Sequence, residues 1–236
     1  IRDISFDFNI EDQIYNFDNI TLQYENLKIK SKKIIINKTG KNFEIKGNLK
    51  NEKALVKPDI ISGLFNLNLD YIDNKEILLE TDNNFSFNID HSRSIKNLSY
   101  KSNITFDKIF INKKYQELIF LKNGKIETAY SEKNLDIKIN SNFAFLNDEY
   151  NNQEDENDII ININKNKKKD ANIQVFLKNK QSKLNSKEIL KYFQFKDEFF
   201  KEQEIIFGSD NKASFEIDKK NKIRNLKIKS ILNFDK

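Results

Sequence analysis

Apolar and polar residues alternate along most of this chain. Successive side chains of an extended strand point to opposite faces of a sheet, so this period marks strands with one apolar and one wet face. In NLDIKINSNFAFL, from Asn134, the apolar set Leu135, Ile137, Ile139, Phe143 and Phe145 falls on one face, with Asp136, Lys138, Asn140 and Asn142 on the other. The same reading predicts strands at 4–10, 19–24, 42–49, 63–72, 84–89, 98–106, 158–164, 172–176, 213–217 and 226–234, with shorter ones at 33–37, 76–80, 109–112, 117–121 and 125–129. Polar clusters at 37–42, 73–76, 122–125, 164–170 and 209–212 predict the turns. Pro58 is read as lying in a loop, and Gly47 and Gly63 as marking bulges.

One stretch has a different period. Residues 185–202 offer Asn185 or Ser186 as a cap and Glu188 in the first turn, with Ile189 four before Phe193 and Phe195 four before Phe199. This spacing predicts an amphipathic helix near 186–200.

Residues 85–108, FSFNIDHSRSIKNLSYKSNITFDK, return without a gap at 213–236 as ASFEIDKKNKIRNLKIKSILNFDK, with 12 of 24 positions identical. Alternation alone does not require polar identities such as Asp90 with Asp218 or Asn97 with Asn225. The segment reads as a hairpin of fixed register, used twice in a repeat architecture. A shorter echo at 8–17 matches 87–98 with a tighter turn.

An apolar sheet face has to be covered by something. About fourteen strands at roughly 4.8 Å spacing span about 65 Å, and one helix roughly 10 Å across covers two or three of them. The predicted fold is therefore mainly β: an extended, strongly twisted antiparallel sheet curled into an open apolar groove, running through 1–236 as one continuous segment. The opening on Ile1, the absence of methionine and a second copy that reaches Lys236 predict a piece of a longer chain.

Composition adds mostly exclusions. With no cysteine, disulfides and thiolate metal sites are ruled out, and the lone His91 builds no zinc site. The 41 basic and 36 acidic residues are interspersed, without the basic stripe that nucleic acid demands. Asp155, Glu156 and Asp158 in NNQEDEND lack the glycine and spacing of a calcium loop and read as a solvated turn. Asp197 and Glu198 are adjacent and point apart on a helix, wrong for acid–base work. Lys167, Lys168 and Lys169 read as a charged turn. No nucleophilic triad and no phosphate loop is present, so neither an enzyme nor a cofactor is expected.

The runs FSFNIDHSRSIKNLSYKSNITFDKIFI, IFLKNGKIETAY and SKEILKYFQFKDEFFKEQEIIFGSDNKASFEIDKKNKIRNLKIKSILNFDK resemble the middle portions of the long AsmA-like proteins of Gram-negative bacteria. The likeness lies in repeated hairpins with returns of the IKNL type. It implies a periplasmic bridge anchored to the inner membrane by a segment outside this sequence, whose groove conducts phospholipid between inner and outer membrane. The lining expected for such a groove is Phe87, Ile89, Leu98, Tyr100, Ile104, Phe106, Leu135, Ile137, Ile139, Phe143, Phe145, Phe215, Ile217, Leu226, Ile228, Leu232 and Phe234, meeting acyl chains. The competing reading is a structural or adhesive β-repeat, solenoid or sandwich, with a dry core and no lipid. A transmembrane barrel fits poorly with a chain that lacks Trp and carries a mid-chain amphipathic helix.

Overall fold

In the computed structural model, which describes residues 1–65, 68–112, 114, 119–145, 157–166, 169–185, 204–220 and 222–234, all twelve strands join one sheet. In chain order they are β1 (Arg2–Glu11), β2 (Ile14–Tyr24), β3 (Leu27–Thr39), β4 (Asn42–Val56), β5 (Ile77–Ile89), β6 (Ile95–Phe110), β7 (Ile119–Ser131), β8 (Asn134–Phe145), β9 (Asp158–Asn166), β10 (Ala171–Asn185), β11 (Glu204–Ile217) and β12 (Ile223–Phe234). Each strand pairs antiparallel with its neighbours in sequence, so chain order and spatial order coincide. β1 and β12 are the two edges, and the sheet is open.

Two adjacent rows show how alternation becomes a two-faced sheet. From β2 to β12, Leu22, Ile29, Asn51, Thr81, Ile104, Ile126, Ile139, Ile161, Val175, Ala213 and Ile228 stand side by side. One residue along each strand, the same eleven strands contribute Thr21, Lys30, Lys50, Asp82, Asn103, Glu127, Lys138, Asn162, Gln174, Ser214 and Lys227. Directly opposed residues share a face, so the first row lies on an apolar face and the second on a polar one. Ion pairs cross the polar face, including Lys50 with Asp82 and Lys125 with Glu127 at 2.5 Å, and Lys30 with Glu52. The Lys30 and Lys125 ammonium groups hold the Glu52 and Glu127 carboxyls below the ordinary range.

The strands are fewer and longer than alternation alone predicts. Short segments at 76–80 and 84–89 fuse into β5, and those at 117–121 and 125–129 into β7. The sequence KNGK (122–125), read as a turn, lies inside β7, where Asn123 takes a left-handed φ of 50°. Its glycine answers a close approach: a Cβ at 124 would sit 1.9 Å from Cζ of Phe106. SDNK (209–212), also read as a turn, runs straight through β11.

The loop assigned to Pro58 and the strand assigned to 63–72 are both corrected. Residues Pro58–Phe65 form a helix, α1. Proline fits the first helical position, where its missing N–H costs nothing, and Asp59 complements the positive end of the helix. The Ile60 N–H bonds the Lys57 carbonyl at 3.0 Å to close the first turn. Beyond the helix, Ile72 forms a single bridge to Ile111. The helix expected near 186–200 lies outside the described residues.

Two buried clusters anchor one rim of the sheet. Val56, Ile77, Leu79 and Phe106 form the first, with Ile60 and Ile61 of α1 packed against it. Phe143 and Ile159 form the second, with Leu177 and Phe207 beside them.

Candidate functional site

The feature that stands out chemically is the apolar face itself. Ten inter-strand steps at about 4.8 Å give the row from Leu22 to Ile228 a length of roughly 48 Å. Its central members, from Ile104 through Val175, are half-buried by their strand neighbours. Among the described residues, no non-neighbouring strands pair across this face.

Of the residues expected to line the face, Ile104, Ile139 and Ile228 lie in the long row, and Ile137 and Phe215 in the next, where Ser102, Thr128, Ile137, Ile163, Ile173 and Phe215 are cross-strand neighbours. Tyr100 pairs with Phe85 and Tyr130, and Tyr130 with Leu135. Phe87 pairs with Ile45, Ile89 with Phe43 and Ile95, and Ile217 with Ile223. Leu98 and Leu226 share strand parity with Tyr100 and Ile228. Phe145 and Phe234 occupy register positions opposite Ile119 and Phe207. Phe106 and Phe143 are different: at 5% and 1% exposure they are enclosed by protein. At the β12 edge, Leu226, Ile228 and Leu232 are more than half exposed.

The expected lining omits the first third of the chain. Phe17 stacks edge-on against Phe6, with centroids 5.6 Å apart, and tilts against Phe8 at 4.8 Å. Phe17 pairs with Ile34, and Tyr15 with Ile36. These residues extend the apolar face to β1, where Ile4, Phe6, Phe8 and Ile10 are about half exposed. The alternation in 4–10 signals them as plainly as it does the later strands.

Alternation does not reveal the polar groups set into this face. Asn51, Ser102, Ser141, Asn179 and Ser182 are all buried. Several mark places where the strand register slips: Asn51 beside the β4–β5 shift, Ser141 opposite the β7 bulge, and Asn179 and Ser182 flanking the β10–β11 shift. A slip leaves carbonyl groups without a ladder partner, and an unpaired buried carbonyl is costly. Side-chain donors reach carbonyls beside two of the slips, Ser141 Oγ the Lys122 carbonyl at 2.9 Å and Asn179 Nδ2 the Phe207 carbonyl at 3.1 Å, and two residues before the β4–β5 slip Asn83 Nδ2 bonds the Leu49 carbonyl at 3.1 Å. Asn83 Oδ1 in turn accepts from Tyr100 Oη and Ser102 Oγ, both at 2.7 Å. The apolar face is thus interrupted by small polar islands bonded mostly within themselves; in the one at Ser182 the buried Asn157 donates to Ser182 Oγ, while its own Oδ1 accepts no hydrogen bond among the described residues.

The repeated hairpins share their turn chemistry. Asp90 Oδ1 accepts the N–H groups of Ser92 and Ser94 at 2.9 and 3.0 Å, and Asp218 Oδ1 those of Lys220 and Lys222 at 2.8 and 2.9 Å. Lys96 Nζ lies 2.6 Å from Asp90 Oδ2, and Arg224 Nη2 lies 2.7 Å from Asp218 Oδ2. The next residue, Asn97 or Asn225, takes a left-handed φ of 54° or 53°. The register slips at matching places, between Ser86 and Asn88 and between Ser214 and Glu216. Both carboxyls are held below the ordinary aspartate range, Asp90 chiefly by Lys96 with Ser92 and Ser94, and Asp218 chiefly by the Lys222 N–H with help from Lys220 and Arg224.

Surface depressions on the polar side are shallow and edged by residues such as Lys101, Glu127, Lys138 and Gln174, without a convergent set of reactive groups. Among the described residues no three His, Cys, Asp or Glu side chains are grouped to hold a metal, and no helix is long and apolar enough to cross a membrane. No family model, no curated protein and no solved structure matches the chain.

Proposed function

We propose that the apolar face is a lipid-conducting groove, acting without catalysis as a segment of a periplasmic bridge that moves phospholipid between inner and outer membrane. One observation carries the reading: a row about 48 Å long across eleven strands of a single-layered open sheet, apolar at nine of its eleven positions and interrupted only by Asn51 and Thr81. Exposing a 16-carbon acyl chain to water costs on the order of 12 kcal/mol at about 0.8 kcal/mol per CH₂, so unaided passage between membranes is slow. A face of Ile, Phe and Leu removes most of that cost and leaves head groups in water. Curling of the sheet around the chains supplies the groove. The resemblance of the hairpin repeats to AsmA-like proteins points the same way and supplies the periplasmic setting and the inner-membrane anchor. The polar island at Asn83 is compatible with passage because its hydrogen bonds are already made within the protein.

A specific observation favours the second reading, a structural β-repeat with a dry core: Val56, Phe106 and Phe143 are packed as tightly as an ordinary interior. Mass spectrometry of the purified chain, together with photo-crosslinking from a probe at Ile139, separates the two. The groove predicts co-purified phospholipid and crosslinks to it. Lipid-free protein that never crosslinks at Ile139 in the presence of phospholipid vesicles leaves the structural repeat as the account.

A further inference from the structure

The two rims of the sheet carry opposite charge. Along the sequence the cations are scattered among acids, but a sheet that runs up and down in chain order brings alternate turns to one rim. From the β3–β4 turn onward, the turns at 40–41, 90–94, 132–133, 167–170 and 218–222, with two residues on either side of each, hold eleven Lys and Arg against five acids among the described residues. Two of those acids, Asp90 and Asp218, are only 14% and 7% exposed and already engage turn N–H groups and the Lys96 and Arg224 side chains. Lys41, Arg93, Lys133, Lys169, Lys219 and Lys222 are exposed and make no ion pair among the described residues. Turns on this rim recur every second strand, about 9.6 Å apart. The β1–β2 turn, with Glu11 and Asp12, is the exception. At the opposite rim the β4–β5 excursion carries Asp59, Asp70, Asp73 and Glu76 against Lys57 and Lys75.

The rims also differ in how far they leave the apolar face open. Ile95, at the start of β6 in the interior of the sheet, is 61% exposed beside the 90–94 turn, whereas Val56, Phe106 and Phe143 toward the other rim are enclosed. On β8 the first apolar residue inward from the basic rim is Leu135, and Ile137 and Ile139 follow on the same face, all three half-buried. Leu135 to Ile139 spans about 13 Å at roughly 3.3 Å per residue. Half the hydrocarbon thickness of a bilayer, the depth of one acyl tail, is about 15 Å. A tail laid along the strand from this rim therefore covers the half-buried stretch and stops short of Phe143. We infer that the basic rim is where the groove meets head groups: it holds the phosphate of a lipid whose tails lie on the apolar face, and it favours anionic over zwitterionic phospholipid. The assignment rests on the lipid-groove reading and adds the head-group class to it. A zwitterionic head brings its own cation, which offsets the attraction of Lys133 or Lys169, while a glycerol head leaves the phosphate charge uncompensated. Each cation within reach of an anionic lipid is worth about fivefold in binding. An apolar face that is open at the same rim suits a lipid better than a nucleic acid, which has no tail to place there.

The test places a photo-reactive residue at Ile139 of the whole chain and loads it from vesicles of equal parts phosphatidylglycerol and phosphatidylcholine, reading the two adducts by mass. Because both lipids sit in one bilayer, attraction of the protein to the vesicle surface is common to them and the ratio isolates the head group. Wild-type protein is expected to favour phosphatidylglycerol by about fivefold or more at low salt, falling toward parity at about 1 M, where charges are screened beyond roughly 3 Å. Lys133→Glu combined with Lys169→Glu should bring the ratio to one or below, with the urea midpoint of the wild type. If reversal lowers that midpoint, Lys133→Gln combined with Lys169→Gln reads the same loss at smaller size. Lys46→Glu combined with Lys101→Glu changes the net charge equally on the polar face, where Lys46 stands opposite Ser86 and Ile35, and Lys101 opposite Asn84 and Ala129, and should keep the wild-type preference. Equal crosslinking of the two lipids by the wild type, or a preference that survives the rim substitutions or vanishes with the polar-face pair, overturns this inference and leaves the lipid groove standing. A chain that crosslinks neither lipid removes both. Inorganic phosphate that abolishes the preference at matched ionic strength, or a DNA duplex bound as tightly as the vesicles, marks a general anion surface and overturns it too.

Discussion

The two rims of the sheet are built on different principles. One carries the tight turns at 12–13, 40–41, 90–94, 132–133 and 218–222, whose tips are exposed. Its order comes from local polar bonds, most fully at Asp90 and Asp218, and from left-handed residues such as Asp12 and Gln13. The other rim carries one tight turn at 25–26 and the excursion between β4 and β5 with α1, and among the described residues it holds the large buried hydrophobic side chains Val56, Ile77, Leu79, Phe106, Phe120, Phe143 and Ile159. The apolar face runs from rim to rim, with its alternation shifted at the register slips and broken by the polar islands. At the first cluster burial depends on α1 packing back over the face, and at the second on the side chains of β7, β9, β10 and β11, so the pattern of a single strand does not determine it.

That contrast can be broken most directly at the packed rim. Phe143→Ala should cost about 3–5 kcal/mol by urea unfolding, the usual loss for a fully enclosed ring. Phe8→Ala, at a half-exposed site on β1, should cost well under half as much. Equal losses at the two sites would mean that β1 is covered in solution. Gly124→Ala comes next, at about 1–3 kcal/mol, because the new methyl group displaces the Phe106 ring from the first cluster. A rescue by Gly124→Ala combined with Phe106→Leu would sharpen the assignment to that ring.

Midway between the rims, Ile137→Asp should lower stability by only about 1 kcal/mol, since a half-buried carboxylate on an open face reaches water. The same substitution should abolish lipid crosslinking from Ile139. Loss of the fold would place Ile137 in a dry interior instead. The smallest effect belongs to the exposed rim and to pH. Because the Asp90 and Asp218 carboxyls titrate below their unfolded value, their contribution is complete above about pH 3.9 and is lost as pH falls through the folded-state values. The Ser94 and Lys222 amide signals should therefore hold steady in an NMR titration down to about pH 4 and move only in stronger acid. Asp90→Ala should remove that response at Ser94 and leave the Lys222 response intact.

Much of this architecture was legible from period-two alternation, which marks part of every strand and assigns Ile137, Ile139 and Ile104 to one face. It failed where a residue's reason lies on another strand. Gly124 looks like turn chemistry but makes room for Phe106, eighteen positions earlier in sequence. Asn51 and Asn179 look like breaks in a strand, yet they bond carbonyls beside slips whose existence depends on the partner's register. The helix at Pro58 was hidden by its shortness: the alternation of 63–72 outweighed the proline and aspartate that begin a helical turn. Of the candidate site, the apolar face was readable. The enclosure of Phe106 and Phe143 was not, because that depends on chain brought in from outside their own strands.

A sheet whose strands follow one another in space as they do in the chain has a characteristic way of coming apart. Each ladder joins strands adjacent in sequence, and those joined by tight turns close short loops, so such a hairpin can form with little entropy lost to distant segments, and folding can start at any of them and spread to either side. Opening should start at β1 and β12, which have one ladder each, and move inward strand by strand. Amide exchange ought then to slow progressively from both edges toward β6 and β7, a gradient that a closed barrel, lacking ends, does not have.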